Sequence, residues 1–159
     1  MIPIVIRMQH MEDGMMLKIF SVLFALQTIF TPVSSWEPAA EDVEAIARTL
    51  YGECRGVETE AEKEAVAWVI LNRLDAGYAD TVLGVVSAPG QFAGYSKEHP
   101  LLPELVEVAE RVLTLHHREQ LGVEVERVLP REYLWFSGDG ERNTFRDAYG
   151  GGNLMVFGG

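Results

Sequence analysis

The sequence predicts an α+β fold that is mainly helical, with short strands confined to its C-terminal end. Three observations lead there. Apolar residues recur at helical spacing in several stretches between residues 40 and 116. Glycines gather late in the chain, and beyond Leu129 the helical spacing gives way to short extended pieces at 133–136 and 152–156. Finally, 159 residues with 48% apolar and 23% charged side chains suit one folded domain around one core.

The one compositional boundary falls near residue 36, separating an N-terminal extension (1–35) from the domain proper (36–159). Leu17 to Ile29 reads LKIFSVLFALQTI; Met15 and Met16 precede it, and Pro32, Ser34 and Ser35 follow. A short basic start, an apolar segment and small residues before position 36 read as an export signal or a retained anchor, which implies transient membrane contact. An ordinary helix is the plainer alternative. The segment is too short for a membrane span and is broken by Gln27 and Thr28.

Within the domain, Glu41 and Asp42 introduce Val43, Ile46, Ala47 and Leu50, predicting a helix over 40–53 with acids at its positive end. Glu53 falls near the apolar face of that helix, an unusual place for a carboxylate. A second helix is expected from Thr59 to Leu74, with Thr59 as cap and Glu62 at the capping-box position. Thr81 to Val86 suggests a short helix ended by Ala88, Pro89 and Gly90. Residues 91–100 read as a surface loop, and Leu101 to His116 as another helix. The segment SGDGERNTFRDAYGG, Ser137 to Gly151, reads as a loop between two extended arms.

Charge and composition exclude some classes of function. A net charge of −11 argues against a nucleic-acid partner, because phosphate binding relies on Lys and Arg. Cys54 is the single cysteine, so no internal disulfide forms, and the chain must hold together by packing. His99, His116 and His117 show no zinc-ligand spacing, and SGDGE falls short of a calcium loop. No metal or organic cofactor is expected.

The segment LYGECRG, Leu50 to Gly56, resembles the Y-A-E-A-R-G-E signature of the SleB-like cell-wall hydrolase family. AVAWVILNRL (Ala65 to Leu74) and VLGVVSAPGQF (Val82 to Phe92) resemble the family's next two motifs in order. YLWFSGDGERNTF (Tyr133 to Phe145) and a final VFG resemble its closing region, so the likeness runs over about residues 40–157. Gly52, Cys54 and Val57 depart from the signature, and the ending MVFGG lacks the usual H-x-F-Y. The resemblance implies a lysozyme-like domain that cuts peptidoglycan glycan strands at the MurNAc–GlcNAc β-1,4 bond, often as a lytic transglycosylase, with Glu53 as catalytic acid. It further implies an exported or wall-associated protein, acting as a monomer, from a spore-former, another bacterium or a phage.

Such chemistry needs a protonated acid beside the leaving oxygen, and a lone Glu suffices if it then accepts a proton from a sugar hydroxyl or from water. Water as acceptor, giving muramidase-type hydrolysis, and a catalytically silent wall-binding module remain the alternatives. Gln91 follows a tight turn and can donate to and accept from a sugar. Tyr95, Tyr133 and Trp135 offer rings for stacking; strand alternation turns Tyr133 and Trp135 to one side and Leu134 and Phe136 to the other. Asn72 and Arg73, set among apolar neighbours, and Phe92 read as structural support. Asp139 and Glu141 are minor candidates for positioning water.

Overall fold

The computed structural model describes residues 36–157; the segment at 17–35, with its export or anchor reading, lies outside them. The chain divides into Met1–Trp36 and Glu37–Gly159, and every described helix and strand belongs to the second unit. In order these are α1 (Ala40–Glu53), α2 (Glu60–Asp75), α3 (Val82–Ser87), α4 (Pro103–Gln120), β1 (Trp135–Gly138), β2 (Asn143–Ala148) and β3 (Gly151–Val156). The domain is thus mixed α+β and mostly helical, with its strands last. Among the described residues no helix is long and apolar enough to cross a membrane.

Helix α2 is the axis of the core. Every side chain from Ala65 to Arg73 is buried, so the helix is enclosed on all sides rather than along one stripe. Helices α1, α3 and α4 pack against it, as does β1. Helices α1 and α4 bury a single face each, through Val43, Ile46 and Leu50 and through Leu105, Val108 and Val112. Pro103 begins α4 because proline lacks only an N–H that the first turn leaves unbonded anyway. Thr81 caps α3 by accepting from Gly84 N at 3.0 Å.

Two local expectations fail. Thr59 occupies the N-cap of α2 but makes no side-chain capping bond. Glu62 does not reach back to the cap either: it is buried, and its carboxylate accepts from Asn143 N at the start of β2. A long-range backbone donor takes the place of the local one. The supposed loop 137–151 contains a whole strand, β2, which is the centre of an antiparallel β1-β2-β3 sheet. Its alternation is visible in the burial of Asn143 and Phe145 against half-exposed Thr144 and Arg146. One apolar side chain between glycine turns was too little periodicity to reveal it. Phe136, Phe145 and Met155 are cross-strand partners, and Phe145 is fully buried.

Between α4 and the sheet, Arg127 lies 3.9 Å over the Trp68 ring. It donates to Leu129 O at 3.1 Å, to Glu119 at 2.9 Å and to the side-chain oxygen of Asn72. Burial opposes ionisation of Glu119, but hydrogen bonds and charge from Arg131 and Arg127 outweigh it and hold the carboxyl below its usual range. A depressed carboxylate contributes stability above its unfolded pKa, and that contribution is lost as pH falls through the folded one. Glu119→Gln should therefore lower the melting temperature by a few degrees at pH 7, from loss of about 1–3 kcal/mol of charged hydrogen bonding. Melting curves for the two proteins should converge as pH drops below about 4.

Candidate active site

Glu53 is the last residue of α1 and is half-buried. Its Oε1 accepts from Gly94 N at 2.7 Å, tying the helix end to the 91–100 loop. The contact depends on glycine. A Cβ at Gly52 would lie 1.8 Å from Gly94 O, and one at Gly94 would lie 3.0 Å from the Glu53 carboxyl carbon. At the other end of the same motif, a Cβ at Gly56 would lie 1.8 Å from Gly140 O, in the turn between β1 and β2. The backbone of residues 52–56 is therefore met on one side by the 91–100 loop and on the other by the hairpin turn. Gly52, which departs from the alanine of the SleB-like signature, is the residue that lets the loop come this close.

Three hollows adjoin along this segment. The central one, about 150 Å³, is lined by Gly52, Glu53, Arg55, Arg142 and Asn143 among others. A second, of about 260 Å³, shares Gly52 and Arg55 and adds Tyr95, Ser96 and His99. The third and largest, about 540 Å³, shares Gly56 and Arg142 and adds Glu58, Glu62, Glu141 and Phe157. Glu53 thus lies in the middle of a run of depressions, not in the largest of them. Charge is uneven along the run: no carboxylate lines the Tyr95 end, whereas three line the Phe157 end. Arg55, over the Tyr51 ring at 5.3 Å, borders both the second and the central hollow.

The supporting residues act on the loops rather than on Glu53 directly. Arg73 donates to Leu134 O at 2.7 Å and to the main-chain and side-chain oxygens of Gln91 at 3.2 and 3.0 Å. Its guanidinium lies 4.7 Å over the Phe92 ring. Burial pulls the Arg73 pKa down, partly offset by Tyr78 and Glu53, so the charge of Glu53 is felt without a direct bond. Asn72 donates to Pro130 O and Tyr133 O, both at 3.0 Å, and so secures the turn entering β1. Phe92 is a core residue, 6.0 Å from the Phe136 ring.

The expected sugar-facing residues separate. Tyr95 lines the groove beside Gly94. Gln91 lends its side-chain oxygen to Arg73 and lines none of the three hollows. Tyr133 is 8% exposed and belongs to the core. It precedes β1, in a turn closed by its own N–H on Pro130 O at 3.2 Å, so strand alternation does not govern it. Trp135 is half-exposed and meets Tyr149 edge-on at 6.5 Å, but lines none of the three hollows. Asp139 accepts from Glu141 N and Arg142 N at 2.9 and 2.8 Å, bonds that hold its carboxyl below the usual range and close the hairpin turn. Gly94 and Asn143 are the site residues that sequence reasoning missed. Neither stood in a periodic pattern: Gly94 bonds Glu53 from 41 residues away, and Asn143 lines the same hollow from the start of β2.

Cys54 is buried beside Glu53, and burial, then the charges of Glu53 and Glu62, push its thiol up to about 12. A thiol so protonated is no nucleophile at neutral pH.

Residues 57–125 match the Cell Wall Hydrolase family model. The match covers under half of the 159 residues, spanning α2, α3 and α4 and ending before the sheet. It begins just after Glu53. No curated protein and no solved structure gave a significant match. At the level of that segment, the similarity supports hydrolytic activity on the cell wall in the broad sense.

Two outcomes test this geometry. Gly56→Ala must displace the hairpin turn from the helix end, and a melting temperature lowered by roughly 4–8 °C is expected for a loss of about 1 kcal/mol or more. Cys54 should resist a thiol reagent at pH 8 in the native protein and react promptly in denaturant.

Proposed function

We propose that this protein cleaves peptidoglycan glycan strands at the MurNAc–GlcNAc β-1,4 bond, with Glu53 as the acid. The observation that carries the reading is the position of Glu53 at the centre of an extended, three-part groove, as a linear polymer cut internally requires. Gly94 N holds one carboxylate oxygen, so the other can be aimed at the bridging oxygen of a bound strand. The arrangement of a glutamate at a helix end, facing a β-hairpin, agrees with the lysozyme-like fold implied by the sequence resemblance.

In this mechanism Glu53 protonates the leaving oxygen as positive charge develops on the muramyl ring. The resulting carboxylate then takes a proton from the muramyl 6-hydroxyl, giving a 1,6-anhydro end, or from water, giving a reducing end. Glu53 is the one carboxylate lining the central hollow, which favours the intramolecular acceptor. Asp139 is spent on the hairpin turn, and Glu62 on Asn143 N. The same reading calls for export to the wall, for which the 17–35 segment is the natural device, and for no second subunit.

Glu53→Gln retains the shape of the side chain and the bond to Gly94 but cannot supply the proton. Turbidity clearing of purified cell walls should fall by about 10²–10⁴-fold while the circular dichroism spectrum is preserved. Walls cleared at the wild-type rate by the variant would remove Glu53 from the mechanism. Mass spectrometry of the released fragments should show anhydro-muramyl ends in excess of reducing ends.

A further inference from the structure

Asn143 is 2% exposed and opens β2. Its structural duty falls on the backbone, whose N–H donates to Glu62. The residue lines the central hollow with Glu53, Arg55 and Arg142. The amide nitrogen is buried and finds no acceptor among the described residues. Trp68 Nε1 shares that condition, but it is enclosed in the core beneath Arg127 and lines none of the three hollows. The Asn143 amide is hemmed in on its other edge: a Cβ at Gly138 would lie 2.8 Å from its Oδ1, so glycine there makes room for it.

A buried donor without a partner costs about 1–3 kcal/mol, so one on a residue that lines a hollow beside Glu53 calls for an explanation. Leucine has the same branching and would bring no unpaired donor, although its larger side chain must be accommodated. We propose that the Asn143 amide is a substrate-binding donor, which hydrogen-bonds an acceptor oxygen of the sugar held beside Glu53. The chemical class that fits is the 2-acetamido sugar, whose amide carbonyl is its strongest neutral acceptor and pairs well with a side-chain amide. This rests on the glycan-cleaving reading above and deepens it: the central hollow would recognise the N-acetyl group, not merely a chain of sugars.

The test separates a binding role from a structural one. Asn143→Leu removes the donor, and a circular dichroism spectrum matching wild type should show that the variant folds. On acetylated glycan strands, kcat/KM should fall about 10-fold, mainly through KM, as for a bond made equally to bound substrate and transition state. On strands chemically N-deacetylated, wild type and variant should be equal. Asn143→Ala, which leaves a void instead, should show the same kinetic loss with a lower melting temperature. Unchanged kinetics on acetylated strands with both variants would overturn the inference. A difference persisting on deacetylated strands would overturn the acetamido assignment and point to a hydroxyl acceptor. Strand binding, measured by titration in Glu53→Gln and in Glu53→Gln with Asn143→Leu, keeps the two readings apart. Weakened binding by the double variant with no cleavage by wild type would sink the proposed reaction and leave the Asn143 role standing. Equal binding by both would sink the role alone, and no binding by either would sink both.

Discussion

The site depends on two backbone contacts that only glycine permits. Gly52 receives the carbonyl of Gly94, and Gly56 receives that of Gly140. Between them Glu53, Cys54 and Arg55 are held in place, three residues bridging the end of α1, a surface loop and a hairpin turn. The Gly94 N–H that bonds Glu53 comes from the same close crossing, so the contact that shapes the groove also orients the acid. Side chains here would push the three segments apart, and the central hollow would open to solvent.

What holds the loops against the helix is a set of buried polar side chains on α2. Asn72 and Arg73 are neighbours at the end of the buried apolar stretch of α2, and together they engage Pro130, Tyr133, Leu134 and Gln91. A guanidinium removed from water is costly unless its donors are satisfied. Arg73 meets that condition with backbone and amide oxygens instead of a carboxylate, leaving Glu53 without a direct ion pair to it. The proposed proton transfer by Glu53 is compatible with that arrangement. The second arginine, Arg127, completes the network through Asn72 and Glu119 and links the loop-holding residues to α4.

Much of the helical frame was legible beforehand. The bounds of α1 agree with the expected 40–53, since acids at its start and apolar residues every three or four positions leave little freedom. Helix α2 was legible too, although its spacing suggested one buried stripe where burial is complete. The sheet was read poorly because strands borrow their stability from partners. Nothing near Asn143 announces that its N–H will meet Glu62, 81 residues away in sequence. Tyr133 was misread for a related reason: alternation predicts a face only once a strand has begun.

By itself the sequence determined that the domain is mainly helical with late strands, that it lacks an internal disulfide, and that Glu53 occupies an unusual place at the end of an apolar face. These follow from local spacing and composition, which act over one or two turns of chain. Tertiary structure alone decided which residues surround that glutamate. Gly94, Arg142 and Asn143 come from a loop and a hairpin that share no periodicity with α1, and they meet it because glycines at 52 and 56 allow backbones to touch. It also withdrew Tyr133 into the core and set Trp135 outside the groove, since the face a ring presents depends on where its strand starts and pairs.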